Sequence, residues 1–179
     1  MKPVVLIGFC LFVLFGFQRK SARMSWRDGH TLSWSDFQGL PSKGSAFSAS
    51  SNTGISHRFT IKSTGIIDKS KSIIKANFYP KLSWYKPELI DEFTLKHEQT
   101  HFDISEVHAR MFRKAVAEFH FTRNSKAEIQ RIYKKIESSR RKMQSQFDAE
   151  TEHSVNREAE KLWEVKVQAL LHKYQPWAG

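Results

Sequence analysis

The chain has a single cysteine, Cys10, which lies in an apolar run near the N-terminus. The residues after that run therefore contain no thiol, which excludes disulfide bonds as a source of stability. No internal repeat or low-complexity linker is visible in the 179 residues. We expect a leader over residues 1–22 and one domain over 23–179, held together by its hydrophobic core.

The sequence also lacks an apolar run as long as the roughly 20 residues of an ordinary membrane-spanning helix. The run Pro3–Phe17 has 15 residues and is followed by Gln18-Arg19-Lys20. This length fits the core of a signal peptide. Ala22 is a small residue suited to the last position before cleavage, but Lys20 is unfavourable at −3, so an uncleaved N-terminal membrane anchor is the alternative. In both cases the domain is predicted to be exported, as a periplasmic or secreted protein.

Acidic residues are scarce: 18 Asp and Glu stand against 29 Lys and Arg, giving a formal charge of +11. Much of the excess lies in Arg123–Lys142, where Tyr133 is the only aromatic residue. This segment matches no nucleic-acid-binding module, so we expect no nucleic-acid partner. A solvated helix face, or contact with an anionic membrane or cell-envelope polymer, is the prediction.

The strongest pattern in the chain predicts one long helix within Pro87–Phe119, with Pro87 in its first turn. Eight residues within it follow one another at steps of three or four, so they form one stripe on one face of the helix. Three of the eight positions in the stripe are histidines, where a core helix would ordinarily carry leucine or valine. The stripe is Ile90, Phe93, His97, His101, Ile104, His108, Met111 and Ala115.

His97-Glu98-Gln99-Thr100-His101 is an HExxH sequence inside that helix. Residues four apart are neighbours on one face, about 6 Å apart along the axis, so both imidazoles can bind one Zn²⁺ ion. Glu98 is rotated off the histidine line, where it suits a general base that accepts a proton from water. His108 is about 10 Å beyond His101 along the axis and is expected in the core or near the ligands.

A catalytic zinc site needs a third protein ligand and an open fourth position. The acidic segment Asp148–His153, between two helical patterns, is the next cluster of suitable side chains. His153 is the predicted third ligand, with Glu150 as the second choice. Glu106 is a weaker third choice because five residues from His101 brings it nearly to the opposite helix face.

The remaining patterns predict an α+β fold. Alternating polar and apolar residues predict strands, within a small antiparallel sheet of three or four strands packed on the long helix. Two further helices should follow, one from Asn124 or Ser125 to about Phe147 and one from His153–Asn156 to about Lys173. The strand-like segments are Thr31–Trp34, parts of Ser42–Ser56, His57–Lys62 and Ile73–Tyr79.

The chain resembles domain-of-unknown-function family 922, a bacterial family regarded as zincin-like, zinc-dependent proteases on the strength of its HExxH motif. The resemblance implies a zincin-like α+β domain with His97 and His101 as ligands, Glu98 as acid/base and His153 as third ligand. Phe147 stands where tyrosine is usual, which would remove a ring hydroxyl able to hold an oxyanion, and Ser154 stands where glycine is common. The matching blocks are Leu32–Gly39, Ser83-Trp84, Leu95–Ile104 with Glu106 and Ala109-Arg110, and Phe147–Ser154 with Trp163.

The predicted function is therefore that of an exported zinc peptidase acting on a peptide or protein substrate. The alternative is a metal-stabilised binding or scaffold domain of the cell envelope that does not turn over substrate. For the peptidase, an edge strand among residues 45–79 is expected to pair with the substrate. The oxyanion-stabilising group is left open between His57, Tyr85, His108 and Tyr133.

Overall fold

The computed structural model describes residues 23–179. The predicted leader, whether signal peptide or anchor, lies outside this range. Within 23–179, none of the helices combines the length and apolar character that crossing a membrane requires.

The architecture is α+β, with a small antiparallel sheet and three helices, as the sequence predicted. All five strands precede the three helices in the chain. They are β1 (Met24–Ser25), β2 (Ala49–Ser50), β3 (Thr53–Ile61), β4 (Ile67–Phe78), β5 (Trp84–Tyr85), α1 (Glu92–Glu118), α2 (Ser125–Thr151) and α3 (Arg157–Lys173).

The main sheet has the strand order β1-β4-β3, with both pairs antiparallel. Strands β3 and β4 form a long hairpin whose turn includes Gly65, at φ 81°. Alternate residues of β4, Ile74, Ala76 and Phe78, are buried against α1. This alternation is the expected result when one face of an antiparallel sheet covers a core.

Strands β2 and β5 form a separate two-stranded antiparallel sheet. They were not predicted as a pair, because two residues are too few to show an alternating pattern. The strand-like reading of Thr31–Trp34 was wrong: a short 3-10 helix begins at Trp34. The backbone N–H of Leu32 instead donates to Gln99 Oε1 on α1, at 2.7 Å.

Helix α1 begins later than predicted. Pro87 belongs to a separate 3-10 turn, Pro87–Leu89. Asp91 is the N-cap of α1, and its carboxylate accepts from the N–H of Thr94 at 2.8 Å. The cap stops the helix from extending back to Pro87, because the Asp91 backbone is extended.

Helix α1 is central to the molecule, and its middle is buried on nearly all sides. One core cluster lies between α1, α2 and the main sheet and includes Phe78, Phe102 and Phe112. A second lies between the three helices and includes Phe147 and Trp163. The histidine stripe of α1 therefore faces residues of α2 and α3.

Candidate metal centre

Three side chains bring their ligand atoms together where the end of α2 packs against α1. The Nε2 atoms of His97 and His101 are 3.2 Å apart. Asp148 Oδ1 lies 2.9 Å from His101 Nε2 and 3.3 Å from His97 Nε2. Tetrahedral zinc with bonds of about 2.0–2.2 Å requires neighbouring ligand atoms about 3.3–3.6 Å apart. The triangle is close to that size, and two imidazoles with one carboxylate are a donor set that zinc binds.

Glu160 of α3 fixes the orientation of His97. Its Oε1 lies 2.6 Å from His97 Nδ1. A carboxylate at that distance requires a proton on Nδ1, so the proton-free nitrogen of the neutral ring is Nε2, which faces the triangle. This is the carboxylate–histidine arrangement that orients metal-binding imidazoles in other proteins.

The sequence analysis missed both Asp148 as a partner of the histidines and Glu160. Glu160 did carry a signal, because it continues the buried stripe of α3 formed by Trp163, Val167 and Leu171. A carboxylate on such a stripe is as unusual as a histidine on that of α1. Asp148 had no comparable signal beyond its place in the acidic segment.

The charge balance around the histidines is negative. Glu98 and Glu160 are only 4% and 3% exposed, and Asp148 is partly buried. Within residues 23–179, none of the three carboxylates forms an ion pair with a lysine or arginine. Glu160 Oε2 is buried and has no hydrogen-bond partner in this part of the chain. Buried carboxylates are stable only with a compensating cation, so this cluster favours a proton or a metal ion.

The titration of the group follows from these contacts. Burial acts to lower the pKa of His97, but the contacts with Asp148 and Glu160 and the charge of Glu98 outweigh it and raise that pKa to about 9. Burial acts to raise the pKa of Asp148, but hydrogen bonds from His101 and His97 hold it well below its usual range. A proton on His97 and a metal ion would therefore compete for the same lone pair.

Phe147 forms one wall of the centre. Its ring stacks on His97, with centroids 4.4 Å apart and planes 22° apart, and meets His101 edge-on at 5.1 Å. It is fully buried and also contacts Trp163. The side chain at 147 thus packs against the imidazoles and holds their positions.

Glu98 is held beside the centre by the backbone. Its Oε2 accepts the N–H of Ser51 at 2.7 Å, and Ser51 immediately follows β2. The hydroxyl of Ser51 is buried without a hydrogen-bond partner among the described residues. One carboxylate oxygen of Glu98 is therefore hydrogen-bonded, and Oε1 has no hydrogen-bond partner among the described residues.

His153, the predicted third ligand, lies outside the triangle. Its Nδ1 is 3.7 Å from Asp148 Oδ1, its side chain is 50% exposed, and its ring packs on Phe47 at 4.5 Å. Asp148 is still helical and faces α1, whereas His153 follows the end of α2 in a turn of three residues with positive φ, Glu152–Ser154. The structure thus brings Asp148 rather than His153 between the two histidines.

The two other choices for a third ligand have different partners. Glu150 accepts hydrogen bonds from Trp163 Nε1 and Gln146 Nε2, each at 2.7 Å. Glu106 is bound by Arg110 and Arg113. Both carboxylates are therefore engaged elsewhere.

The four candidates for oxyanion stabilisation do not gather at the centre. His57 packs against Phe112 and Tyr133, at 5.5 and 4.5 Å, and Phe112 is about 16 Å beyond His101 along α1. His108 is a core residue, with Nδ1 2.8 Å from the carbonyl of Ile104. Tyr85 is in β5, paired with Ala49 of β2, and is thus the candidate connected to the strand beside Glu98.

The basic segment Arg123–Lys142 forms much of α2, and its side chains divide into two groups. Arg140 is buried and bound to Glu137 and Gln144. Arg131, Lys134 and Lys135 are exposed on the outer side of the helix. This outer side matches the predicted solvated face, and its contact with an anionic surface stays a prediction.

Comparison with known proteins gives one match. Residues 75–154, somewhat under half of the chain, match the family model described as "Bacterial protein of unknown function (DUF922)". The matched region spans the last four residues of β4, all of α1 and all of α2, and therefore includes the three residues of the triangle and Glu98. Neither the curated proteins nor the solved structures contain a significant match.

Proposed function

We propose that this chain is an exported zinc-dependent hydrolase, most simply a peptidase. The observation that carries the proposal is the triangle of His97 Nε2, His101 Nε2 and Asp148 Oδ1, with sides of 2.9–3.3 Å. Glu98, next to the first histidine in the chain, adds a buried carboxylate that a purely structural histidine pair does not need. The family match supports the assignment of residues 75–154 to this family, but the family is one of unknown function, so the activity has to be tested.

The ligands proposed from the geometry are His97, His101 and Asp148, with Glu160 as the residue that positions His97. Zinc with three protein ligands and one open position lowers the pKa of a bound water to about 7 and polarises a carbonyl group. Glu160 keeps the proton of His97 on Nδ1, so that Nε2 is free to bind. Phe147 excludes water from the inner side of the imidazoles.

Glu98 is the proposed general base. Its Oε2 is held by the Ser51 N–H, so Oε1 accepts the proton of the attacking water and then delivers it to the leaving amine nitrogen. A positioned carboxylate of this kind contributes about 10²–10⁴-fold to rate.

The free edge of β2 is the proposed binding site for an extended substrate. Lys86 N–H donates to the carbonyl of Ser48 at 2.8 Å, and the register pairs Ala49 with Tyr85. In an antiparallel pair this pattern turns the backbone groups of Ala49 and Ser51 away from β5. Since the Ser51 N–H reaches Glu98, that edge faces the centre. A substrate strand pairing there would pass beside Glu98.

The test is the Glu98→Gln variant, with Glu158→Gln on the exposed side of α3 as the matched control. Zinc content by elemental analysis and hydrolysis of fluorescent casein and a mixture of quenched peptides are measured for both. We expect both variants to hold one zinc ion per chain, while only Glu98→Gln loses hydrolysis, by about 10²-fold or more. Undiminished hydrolysis by Glu98→Gln would contradict the role of Glu98.

A structural zinc site is the second candidate, and the position of His153 favours it. Its Nδ1 is 3.7 Å from Asp148 Oδ1, so His153 is the nearest further imidazole to that carboxylate among the described residues and the candidate for a fourth protein ligand. Four protein ligands would close the site, as in metal-stabilised scaffold domains. X-ray absorption of the zinc-loaded protein decides. Three protein ligands with a water in the fourth position support the hydrolase, whereas three imidazoles together with the Asp148 carboxylate and no water support the scaffold.

A further inference from the structure

A concavity lies away from the candidate metal centre. This cleft has a volume of about 910 Å³ and lies between the end of β1, β4 and the C-terminal half of α1. None of the triangle residues, and neither Glu98 nor Glu160, lines it. Its apolar part is formed by Ile74, Val116 and Ala117, and its basic residues are Arg23, Arg27, His30, Lys69, Lys75 and Arg113.

Acidic side chains are scarce in the lining of the cleft. Among the described residues that line it, Glu106 is the only one with an acidic side chain. Glu106 Oε1 already accepts from Arg110 Nε at 3.0 Å and from Arg113 Nη1 at 2.9 Å. One carboxylate therefore serves two guanidinium groups and is not available to Arg27 and Lys75.

Two exposed cations lie at the mouth of the cleft. Arg27 follows the end of β1, where the N–H of Trp26 donates to the carbonyl of Ala76 at 3.0 Å, and Lys75 precedes Ala76 in β4. Both residues line the cleft, and neither forms an ion pair among the described residues. A bound anion would offset the repulsion between two such neighbouring cations.

We propose that this cleft binds the phosphate headgroup of an anionic phospholipid. Basic residues surround the mouth and apolar residues line the interior, which matches a phosphate joined to a hydrocarbon body. In the sequence the apolar run Pro3–Phe17 ends six residues before Arg23. Six residues of fully extended chain span at most about 20 Å, which is the greatest possible distance between this run and Arg23. An anchored run would thus keep the mouth near a membrane surface.

The test uses the full chain in non-ionic micelles that contain equal amounts of phosphatidylglycerol and phosphatidylcholine, with bound lipid counted by native mass spectrometry. The test variant is Arg27→Gln/Lys75→Gln. The control is Arg58→Gln/Lys161→Gln, which removes the same charge from exposed positions on β3 and α3 that do not line the cleft. Lys69 is left intact because its Nζ donates to the carbonyl of Ala117 at 2.7 Å.

The parent and the control are expected to retain phosphatidylglycerol in preference to phosphatidylcholine. The test variant should lose about 25-fold in apparent affinity, since each of the two cations near a lipid headgroup contributes about fivefold. Its melting temperature should change little, because both replaced side chains are exposed. Equal retention of the two lipids, or equal losses in the test and control variants, would overturn the proposal. Binding of inorganic pyrophosphate without retention of phosphatidylglycerol would overturn the lipid assignment in favour of a soluble phosphate.

Discussion

Helix α1 carries two buried charged clusters, and they differ in how their charges are balanced. Glu106 is bound by both Arg110 and Arg113. Arg110 Nη1 also donates to the carbonyl of Leu171 and to Gln175 Oε1, at 2.6 and 2.8 Å. In this first cluster the charge of Glu106 is balanced by arginines of the protein itself, so no ligand is needed to compensate it.

Toward the N-terminus of the same helix, the cluster around His97 and His101 is incomplete. Three carboxylates surround two imidazoles, and within residues 23–179 no lysine or arginine pairs with them. The Nε2 atoms of both imidazoles and one carboxylate oxygen of Asp148 lie within 3.3 Å of one another. Buried charge alone does not distinguish the two clusters. The proposed metal site rests on ligand atoms that converge without a lysine or arginine partner.

The largest effect on stability is expected in the complete cluster. Replacing Glu106 by alanine leaves Arg110, 2% exposed, without its counter-charge, and should cost about 3–5 kcal/mol of unfolding free energy. Urea unfolding measures it. Glu118→Ala, which removes an exposed ion pair with Lys114, is the control and should cost less than about 1 kcal/mol. Similar losses in the two variants would mean that the buried cluster does not hold the fold.

The incomplete cluster should show itself through pH in the metal-free protein. The pKa of His97 is raised to about 9 in the folded state, from 6.5. Its protonation therefore stabilises the fold fully below about pH 6.5, and this contribution is lost as the pH rises to 9. The loss should approach roughly 3 kcal/mol.

Denaturant unfolding in the presence of a chelator measures this pH dependence. At the acid end, the lowered pKa of Asp148 means that its contribution is present above about pH 4 and is lost on further acidification. Zinc-loaded protein should behave differently, with affinity rising toward pH 9, because zinc replaces the proton on Nε2. A metal-free protein equally stable at pH 6 and pH 9 would contradict the geometry at His97.

A smaller effect is expected from the residue that orients His97. Glu160→Gln keeps the shape of the side chain but removes the charge that holds the Nδ1 proton. Zinc affinity should fall by about 10–100-fold. Competition with a zinc-binding dye measures it, with Glu158→Gln as control. If affinity is unchanged, Glu160 only packs against the ring.

The smallest effect is expected at His153. If Asp148 is the third ligand and the fourth position is open, His153→Ala should change zinc affinity by less than about threefold. The same dye competition provides the value. A loss of a hundredfold or more would instead support His153 as a ligand, as the sequence and the family resemblance suggested.

The sequence predicted the parts of the molecule that depend on local periodicity. The stripe through His97 and His101 follows from 3.6 residues per turn, and the β3–β4 hairpin follows from alternation in each strand. The start of α1 was misplaced because Asp91, and not Pro87, caps the helix. This boundary depends on the extended backbone of the single residue Asp91, and a pattern of apolar residues does not reveal it.

The rest of the centre depends on how the helices pack. Asp148 lies 47 residues after His101, and the Glu160–His97 contact joins residues 63 apart in the chain. No local pattern specifies which side chain of α2 or α3 will meet α1. The sequence located the acidic segment that contains Asp148. Which residue of that segment faces the histidines depends on where α2 ends: Asp148 is still helical and faces α1, whereas His153 follows the helix and is half exposed.

The most direct test is a titration of the metal-free parent and of the His101→Ala variant with zinc, followed by calorimetry at pH 7.5. The account predicts one zinc ion per chain for the parent and an affinity lower by at least about a hundredfold for the variant. Equal stoichiometry and affinity in the two proteins, or no zinc bound by the parent, would contradict it.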